Sequence, residues 1–287
     1  MCGSSTAEHK ILGKRLNHSQ GKNPSKKIGI TVSIIKCKNC GLIYSNPQPI
    51  PASLQDHYGV PPEEYWKKEY FVINDQYFKN EITTLMKLQS FNKGAKALDI
   101  GAGLGKCMIA LANAGFDSYG FEPSKPFYER AIQKMGIQSE KLKLGAIEDI
   151  EYPNDHFDFI TFGAVLEHLY SPSESIYKAM TWLKSGGIMH IEVPSADWLV
   201  SKLFNTFYRL TGTDYVTNLS PMHEPFHLYE FSLKSFESNA PSNGYEIALS
   251  NYYVCQTYLS SFFDWFLVPI MKATNSGMQL CVWLRKK

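Results

Sequence analysis

Nowhere do the 287 residues contain the roughly 18 to 20 consecutive apolar residues of a membrane span. The longest apolar run, Phe262 to Met271, is broken by Asp264 and Pro269. It is too short to cross a bilayer but long enough to touch one. The first thirty residues are polar and basic and lack the apolar centre of a secretory signal, so a cytoplasmic, reducing setting is expected. An excess of either charge is also missing. Lys and Arg number 29 against 27 Asp and Glu, and the resulting +2 gives no overall field for a nucleic-acid polyanion. Six cysteines are too few for a disulfide miniprotein and read first as thiols or metal ligands. No internal repeat or low-complexity tract appears. With 44% hydrophobic and 20% charged residues and a mean hydropathy of -0.23, there is material for a buried core. The length allows one large domain or one medium domain with a small appendage. The unusual abundance is aromatic: 17 Tyr, 17 Phe and 5 Trp.

From about residue 94, short β-rich runs alternate with helical patterns, which predicts βα units around a mainly parallel sheet. Strands are expected at 96–100, 117–121, 141–144, 157–162 and 188–193, with later strands at 244–254 and 278–284. Helices are expected at 106–114, 127–135 and 174–183, the last ending at Gly186-Gly187. The near-continuous apolar run Phe157 to Phe162 suits a strand covered on both faces.

Between the first strand and helix lies Gly101-Ala102-Gly103-Leu104-Gly105. Such a turn lets a ligand approach the backbone and aims helix N-terminal N–H groups at it. Glu122 ends the next strand, 21 residues after Gly101, where a carboxylate can accept both hydroxyls of a ribose. Together they predict an adenosine-type ligand. A dinucleotide loop is usually Gly-x-Gly-x-x-Gly with an uncharged strand before it, whereas this loop is Gly-x-Gly-x-Gly preceded by Asp99. A carboxylate there repels a pyrophosphate and suits an ammonium group. That favours S-adenosylmethionine over NAD, leaving an NAD-dependent oxidoreductase or epimerase as the competing class.

At these residues the sequence resembles the class I S-adenosylmethionine-dependent methyltransferases, in particular the small-molecule branch of ubiquinone-biosynthesis and surface-polysaccharide enzymes. The resemblance runs over about 94–195, through 98–105, Gly120-Phe-Glu-Pro123, 145–149, 157–169, 183–187 and 191–194. It implies an α/β fold, a doubly wound, mainly parallel, seven-stranded Rossmann-like sheet of order 3-2-1-4-5-7-6 with the last strand antiparallel. It also implies that Gly101, Ala102, Gly103 and Gly105 approach the methionine moiety and that Glu122, next to Pro123, binds the ribose. Ile147 and Glu148 would bracket the adenine, and Gly163 and Ala164 would line the methionine side. A noncatalytic interaction module on the same fold is the third reading.

Methyl transfer from a sulfonium mainly requires alignment, and a base is needed only when the nucleophile carries a proton. Glu167-His168 follows the fourth strand of the alternation, at the sheet edge where open α/β folds bind ligands. His168 is the candidate base, because an imidazole accepts protons near neutrality. The alternative is that the pair only orients the loop or contacts substrate.

Cys37-Lys-Asn-Cys40 is a C-x-x-C knuckle able to place two thiolates on one zinc, and Cys2-Gly3 echoes Cys40-Gly41. Resembling polysaccharide-type relatives carry paired knuckles, and here one leading cysteine is missing. A structural Zn2+ would need His9 or His18 as fourth ligand, or the site stays empty. Lys10, Lys14, Arg15, Lys22, Lys26 and Lys27 read as a solvated loop, since no aromatics interleave them. His223-Glu-Pro-Phe-His227 matches H-E-x-x-H, but Pro225 opposes the helix that this zinc motif requires. The segment His227 to Ser232 resembles one that helps close the substrate site in relatives. Aromatic residues flank the core on both sides: Tyr65, Trp66, Tyr70, Phe71, Tyr77 and Phe78 before it, and Trp198, Phe204, Phe207 and Tyr208 after the fifth strand. The helical spacing of the second group predicts packing.

The expected organisation is a ribbon-like segment at 1–60, an aromatic helical segment at 61–93, and a methyltransferase domain at 94–287 with an α-helical cap inserted at about 196–235. The expected partner is a small-molecule substrate and not nucleic acid, with peripheral contact to a lipid-linked substrate left open, as is the oligomeric state.

Overall fold

Three short strands open the chain: β1 (His9–Arg15), β2 (Ser33–Cys37) and β3 (Ile43–Asn46), paired antiparallel in sequence order. The computed structural model describes residues 1–15, 32–50, 71–219, 226–254, 257 and 259–287. Tyr65, Trp66, Tyr70, His18, Lys22, Lys26, Lys27, His223 and Pro225 lie outside the described residues. The basic stretch expected as a solvated loop is corrected at its start, because Lys10, Lys14 and Arg15 belong to β1. Arg15 is buried, and its Nε donates to the Leu219 carbonyl at 2.9 Å. Its charge faces Glu230, which accepts from Asn218 Nδ2 and the Leu219 N–H at 2.6 Å each.

The alternation continues through α1 (Lys79–Leu88), β4 (Lys96–Ile100), α2 (Lys106–Asn113), β5 (Asp117–Glu122), α3 (Lys125–Gln133), β6 (Leu142–Leu144), β7 (Phe157–Gly163), α4 (Pro172–Trp182) and β8 (Leu183–Pro194). After it come α5 (Leu199–Leu210), β9 (Tyr215–Val216), β10 (Tyr229–Glu230), α6 (Leu233–Asn243), β11 (Tyr245–Tyr253), α7 (Ser261–Ala273) and β12 (Gln279–Lys286). Seven strands form the main sheet in the order β11-β12-β8-β7-β4-β5-β6. All neighbours are parallel except β12, which is antiparallel to both β8 and β11. Counted along the main sheet, this is the order 3-2-1-4-5-7-6.

Burial explains the sequence of the central strands. Phe157, Phe159, Ile160 and Phe162 of β7 are all fully buried, because helices cover both faces. β8 starts at Leu183, earlier than the expected 188, and contains Gly186-Gly187 rather than following them. Its register with β7 jumps from Phe157↔Leu183 to Phe159↔Ile188, and Gly186 takes up the extra residues at φ 77°.

The excursion after β8, expected to be a helical cap, is also a source of strands. β9 pairs parallel with β1 (Lys14↔Tyr215) and β10 antiparallel with β3 (Tyr229↔Tyr44), completing a second sheet of order β10-β3-β2-β1-β9. The helical spacing in α5 does not mean packing for the whole stripe: Leu203, Phe207 and Leu210 are exposed. α7 likewise exposes Phe262, Phe263, Trp265, Phe266 and Ile270. α5 follows the carboxyl end of β8 and α7 precedes the paired end of β12, where Gln279 faces Pro194, so both leave the main sheet at one edge. Among the described residues no helix is long and apolar enough to cross a membrane.

Candidate active site at the carboxyl edge of the sheet

β4 delivers the chain into the glycine turn, and the three glycines differ in their reason for being there. All three have left-handed backbones: Gly101 at φ 69°, Gly103 at 54° and Gly105 at 76°. A Cβ on Gly101 would lie 2.6 Å from Val165 Cγ2, and one on Gly105 would lie 2.6 Å from Ile137 Cγ1. A Cβ on Gly103 would meet nothing within 4 Å, so this is the glycine whose backbone faces open space. The turn is fixed from below, where the Gly101 and Ala102 N–H groups both donate to the Phe121 carbonyl at 3.0 Å. Gly120, opposite Asp99 in the β4–β5 register, leaves room for Met108 and Ala102.

Glu122 ends β5 directly beside this turn. Its Oε2 accepts the Gly103 N–H and its Oε1 accepts the Ser124 N–H, each at 2.8 Å. Each carboxylate oxygen keeps a further lone pair for a ligand hydroxyl. Burial pushes Glu122 up to about 7 against the pull of those two N–H groups. Asp99 is buried too and is pushed up to about 8, by burial first and then by the charge of Glu122. Two buried carboxyl groups, the charge of one raising the other, are what a ligand ammonium would stabilise.

At the end of β7 the chain turns sharply. Gly163 is exposed and a Cβ there would be unobstructed, while Ala164 holds φ 55°, unusual for a residue with a side chain. Its N–H donates to the Glu192 carbonyl at 3.1 Å. A 3-10 turn, Leu166–His168, follows. Glu167 is 1% exposed, and burial pushes its carboxyl up to about 8. His168 donates through Nδ1 to the Phe226 carbonyl at 2.8 Å, which leaves Nε2 as the lone-pair nitrogen. The Leu228 N–H donates to the Glu167 carbonyl at 2.9 Å, so residues 226–228 are pinned on this turn. His227 meets His168 edge to face, ring centres 4.7 Å apart.

Residues 73–249, more than half of the chain, match the family described as Methyltransferase domain. The chain belongs to that methyltransferase family. The class I S-adenosylmethionine-dependent resemblance read from the motifs agrees with this. The uncharacterized methyltransferase YcgJ of Bacillus subtilis is 24% identical over 157 residues, covering 52% of this chain and 56% of that protein. A ubiquinone biosynthesis O-methyltransferase of Coxiella burnetii is 28% identical over 134 residues, covering 45% of this chain and 54% of the relative. The chain thus spans about half the length of these curated relatives. A solved Thermotoga maritima structure, described as a SAM-dependent methyltransferase and possible histamine N-methyltransferase, shares the fold with a TM-score of 0.53 at 15% identity. It covers 82% of this chain and all of its own.

The other residues expected to hold the cofactor in this methyltransferase lie around the same edge. Ile147 is buried and Glu148 exposed on the turn after β6, and Pro123 links Glu122 to the Ser124 that precedes α3. Sequence reasoning gave no role to Val165 or Ser124, and it singled out His227 only through its segment's resemblance to one that helps close the substrate site, not through its meeting with His168. Ser124 was readable as the residue before a proline-started helix. Val165 and His227 act through contacts that no local pattern announces. A hollow of about 560 Å³ lined by Lys96, His156, Asp158 and Lys184 lies at the opposite, amino edge of the sheet, away from all of these.

The cysteines of the small sheet do come together. Cys2, Cys37 and Cys40 place their sulfurs within 4.8 Å of one another. Ser4 Oγ is 3.2 Å from both Cys2 and Cys37, and His9 Nε2 is 3.4 Å from Ser4, with its Nδ1 held by Tyr44. Burial pushes each thiol up, but hydrogen bonds outweigh it at two of them: with Ser4 first, they bring Cys2 to about 7 and hold Cys37 below its ordinary value, whereas burial takes Cys40 up to about 12.

Proposed function

We propose that this chain transfers a methyl group from S-adenosylmethionine to a small-molecule acceptor: a sugar, a nucleotide-linked sugar or a quinone-type precursor. The observation that carries it is the Glu122 carboxylate, buried with one oxygen on the Gly103 N–H and the other on the Ser124 N–H, beside buried Asp99. S-adenosylmethionine supplies a methyl group already activated on a sulfonium sulfur. Glu122 then receives the ribose hydroxyls, and Asp99 with the Gly101–Gly105 backbone receives the ammonium and the methionine chain. Ile147 and Glu148 hold the adenine, and Gly163 and Ala164 border the reacting end. His168 Nε2, the unprotonated nitrogen, removes the acceptor proton.

Two aromatic helices at the same edge, α5 and α7, favour an acceptor with an apolar portion, including one carried on a lipid. The charge balance disfavours a nucleic-acid acceptor, and the polar, basic first thirty residues favour a cytoplasmic setting. The three thiols are assigned to a structural Zn2+, supported by their convergence. A pyrophosphate cofactor such as NAD is disfavoured by the carboxyl groups of Asp99 and Glu122 at the turn. Calorimetry with S-adenosylhomocysteine and with NAD tests the reading. Well-folded protein that binds NAD, or neither ligand, overturns it, and labelled methyl transfer to sugar and quinone precursors identifies the acceptor.

A further inference from the structure

We propose that Glu167, His168 and His227 form a binding site for a divalent transition-metal cation at the acceptor side of the glycine turn. One carboxylate oxygen and one nitrogen from each ring lie within 4.8 Å of one another, and His168 Nε2 is 4.0 Å from Glu167 Oε1. Ligand bonds of about 2.0 to 2.2 Å require neighbouring donors to stand roughly 3 to 3.5 Å apart, so a side-chain contraction of about 1 Å closes the site. Two imidazoles and one carboxylate are the donor set of open, three-ligand metal sites, which leave positions for substrate oxygens.

Two further observations point to a cation. Glu167 is 1% exposed, yet its Oε2 finds no hydrogen-bond partner, a costly state for a buried carboxyl group. A cation held by this carboxylate and the two rings supplies the buried group with the positive partner it lacks, through Oε1 as the side chain stands or through Oε2 after rotation about its last bond. Second, the Phe226 carbonyl fixes His168 with Nδ1 protonated and Nε2 directed as a ligand, the outer-shell arrangement that metal-bound histidines require. The backbone bond from Leu228 to Glu167 holds the two segments in place, although they are far apart in sequence. The site differs from the H-E-x-x-H reading in its donors: His227 is joined here by Glu167 and His168, and His223 lies outside the described residues.

This inference rests on the methyl-transfer reading and sharpens it: the acceptor atom is an oxygen, and His168 acts as a ligand rather than as the free base. A hydroxyl on the cation loses its proton to solvent at lower pH than a free one. The oxygen then forms a bond to the methyl carbon as the carbon–sulfur bond breaks, its electron pair staying on sulfur as a neutral thioether.

The test is binding of Mn2+ and Co2+ to the full chain, measured without turnover. Mn2+ suits nitrogen and oxygen donors and discriminates against the thiol cluster of the small sheet. The expected result is about one Mn2+ per chain, weakened roughly tenfold or more by His227→Ala and by Glu167→Gln and unchanged by Cys37→Ser. In the native chain Co2+ should give visible ligand-field bands that His227→Ala removes and Cys37→Ser keeps, separate from any near-ultraviolet thiolate band that the small-sheet cysteines contribute. Absence of Mn2+ binding, binding insensitive to both variants, or a thiolate-type Co2+ spectrum alone overturns the site. Binding of S-adenosylhomocysteine, measured in parallel, reports separately on the transfer reading.

Discussion

Gly101 and Val165 are in such close contact that a single added methyl group on Gly101 would sit 2.6 Å from a Val165 methyl. The two residues belong to different turns, one after β4 and one after β7, so their contact fixes the glycine turn against the turn that carries Glu167 and His168. Gly101→Ala should therefore cost about 2 to 4 kcal/mol, from the clash plus the left-handed backbone. Gly103→Ala has the backbone cost alone, about 1 kcal/mol, but should weaken S-adenosylhomocysteine binding about tenfold or more by blocking ligand approach. Denaturant unfolding and calorimetry on both variants separate the two effects. Equal stability losses would argue against this division of roles.

Binding of S-adenosylhomocysteine should strengthen as pH rises from about 6 to 8. Asp99 and Glu122 are held above their ordinary range, at about 8 and about 7, so folding favours their protonated forms. Their contribution to stability is fully present below the unfolded carboxyl range and is lost as pH rises through about 7 to 8. A ligand ammonium needs the ionised forms and so gains over the same window. Asp99→Asn should flatten both trends, and a variant with the native pH profile would refute the assignment.

His168→Ala should lower methyl transfer by about 10² to 10⁴ while leaving S-adenosylhomocysteine affinity within a few-fold. Full turnover with an unchanged pH profile would remove His168 from the reaction.

Phe207→Ser and Trp265→Ser change exposed side chains and should alter stability by no more than about 0.5 kcal/mol. Their expected effect is a raised KM for acceptors with an apolar portion and none for small polar ones. Steady-state kinetics with paired acceptors is the check, and equal KM changes would exclude a role in apolar recognition.

Purified chain should contain about one zinc that a chelator removes, with a loss of stability in the small sheet. Less than about a tenth of an equivalent by elemental analysis would leave the three thiols without a metal role.

The main sheet was legible because its central strands, Phe157 to Phe162 above all, are rich in apolar residues with a turn at their ends, and the Gly101 to Gly105 turn with Glu122 is a local pattern. What escaped the sequence is long-range. β9 and β10 are two residues each, too short for any periodicity, and exist only because β1 and β3 offer them edges. Arg15 reads as one more surface cation until Leu219 and Glu230 enclose it. The exposed stripe of α5 has the spacing of a packed helix, and spacing says nothing about whether a neighbour exists. Pro225 argues against a helix over 223–227, a stretch of which only His227 and Phe226 are described, and the sequence does not reveal that Glu167 and His168 stand next to His227.

The second sheet also imposes an order on events. Lys14 pairs with Tyr215, and Tyr44 with Tyr229, so strands made first on the ribosome have no complete sheet until Glu230 has emerged. Closing loops of that length is slow compared with forming the βα units between them. The parallel core is therefore free to assemble first, with the amino-terminal strands docking afterwards onto the excursion that borders the turn carrying Glu167 and His168. A fragment trimmed to residues 73–249, the limits of the family match, would leave β9 and β10 as unpaired edges beside that turn.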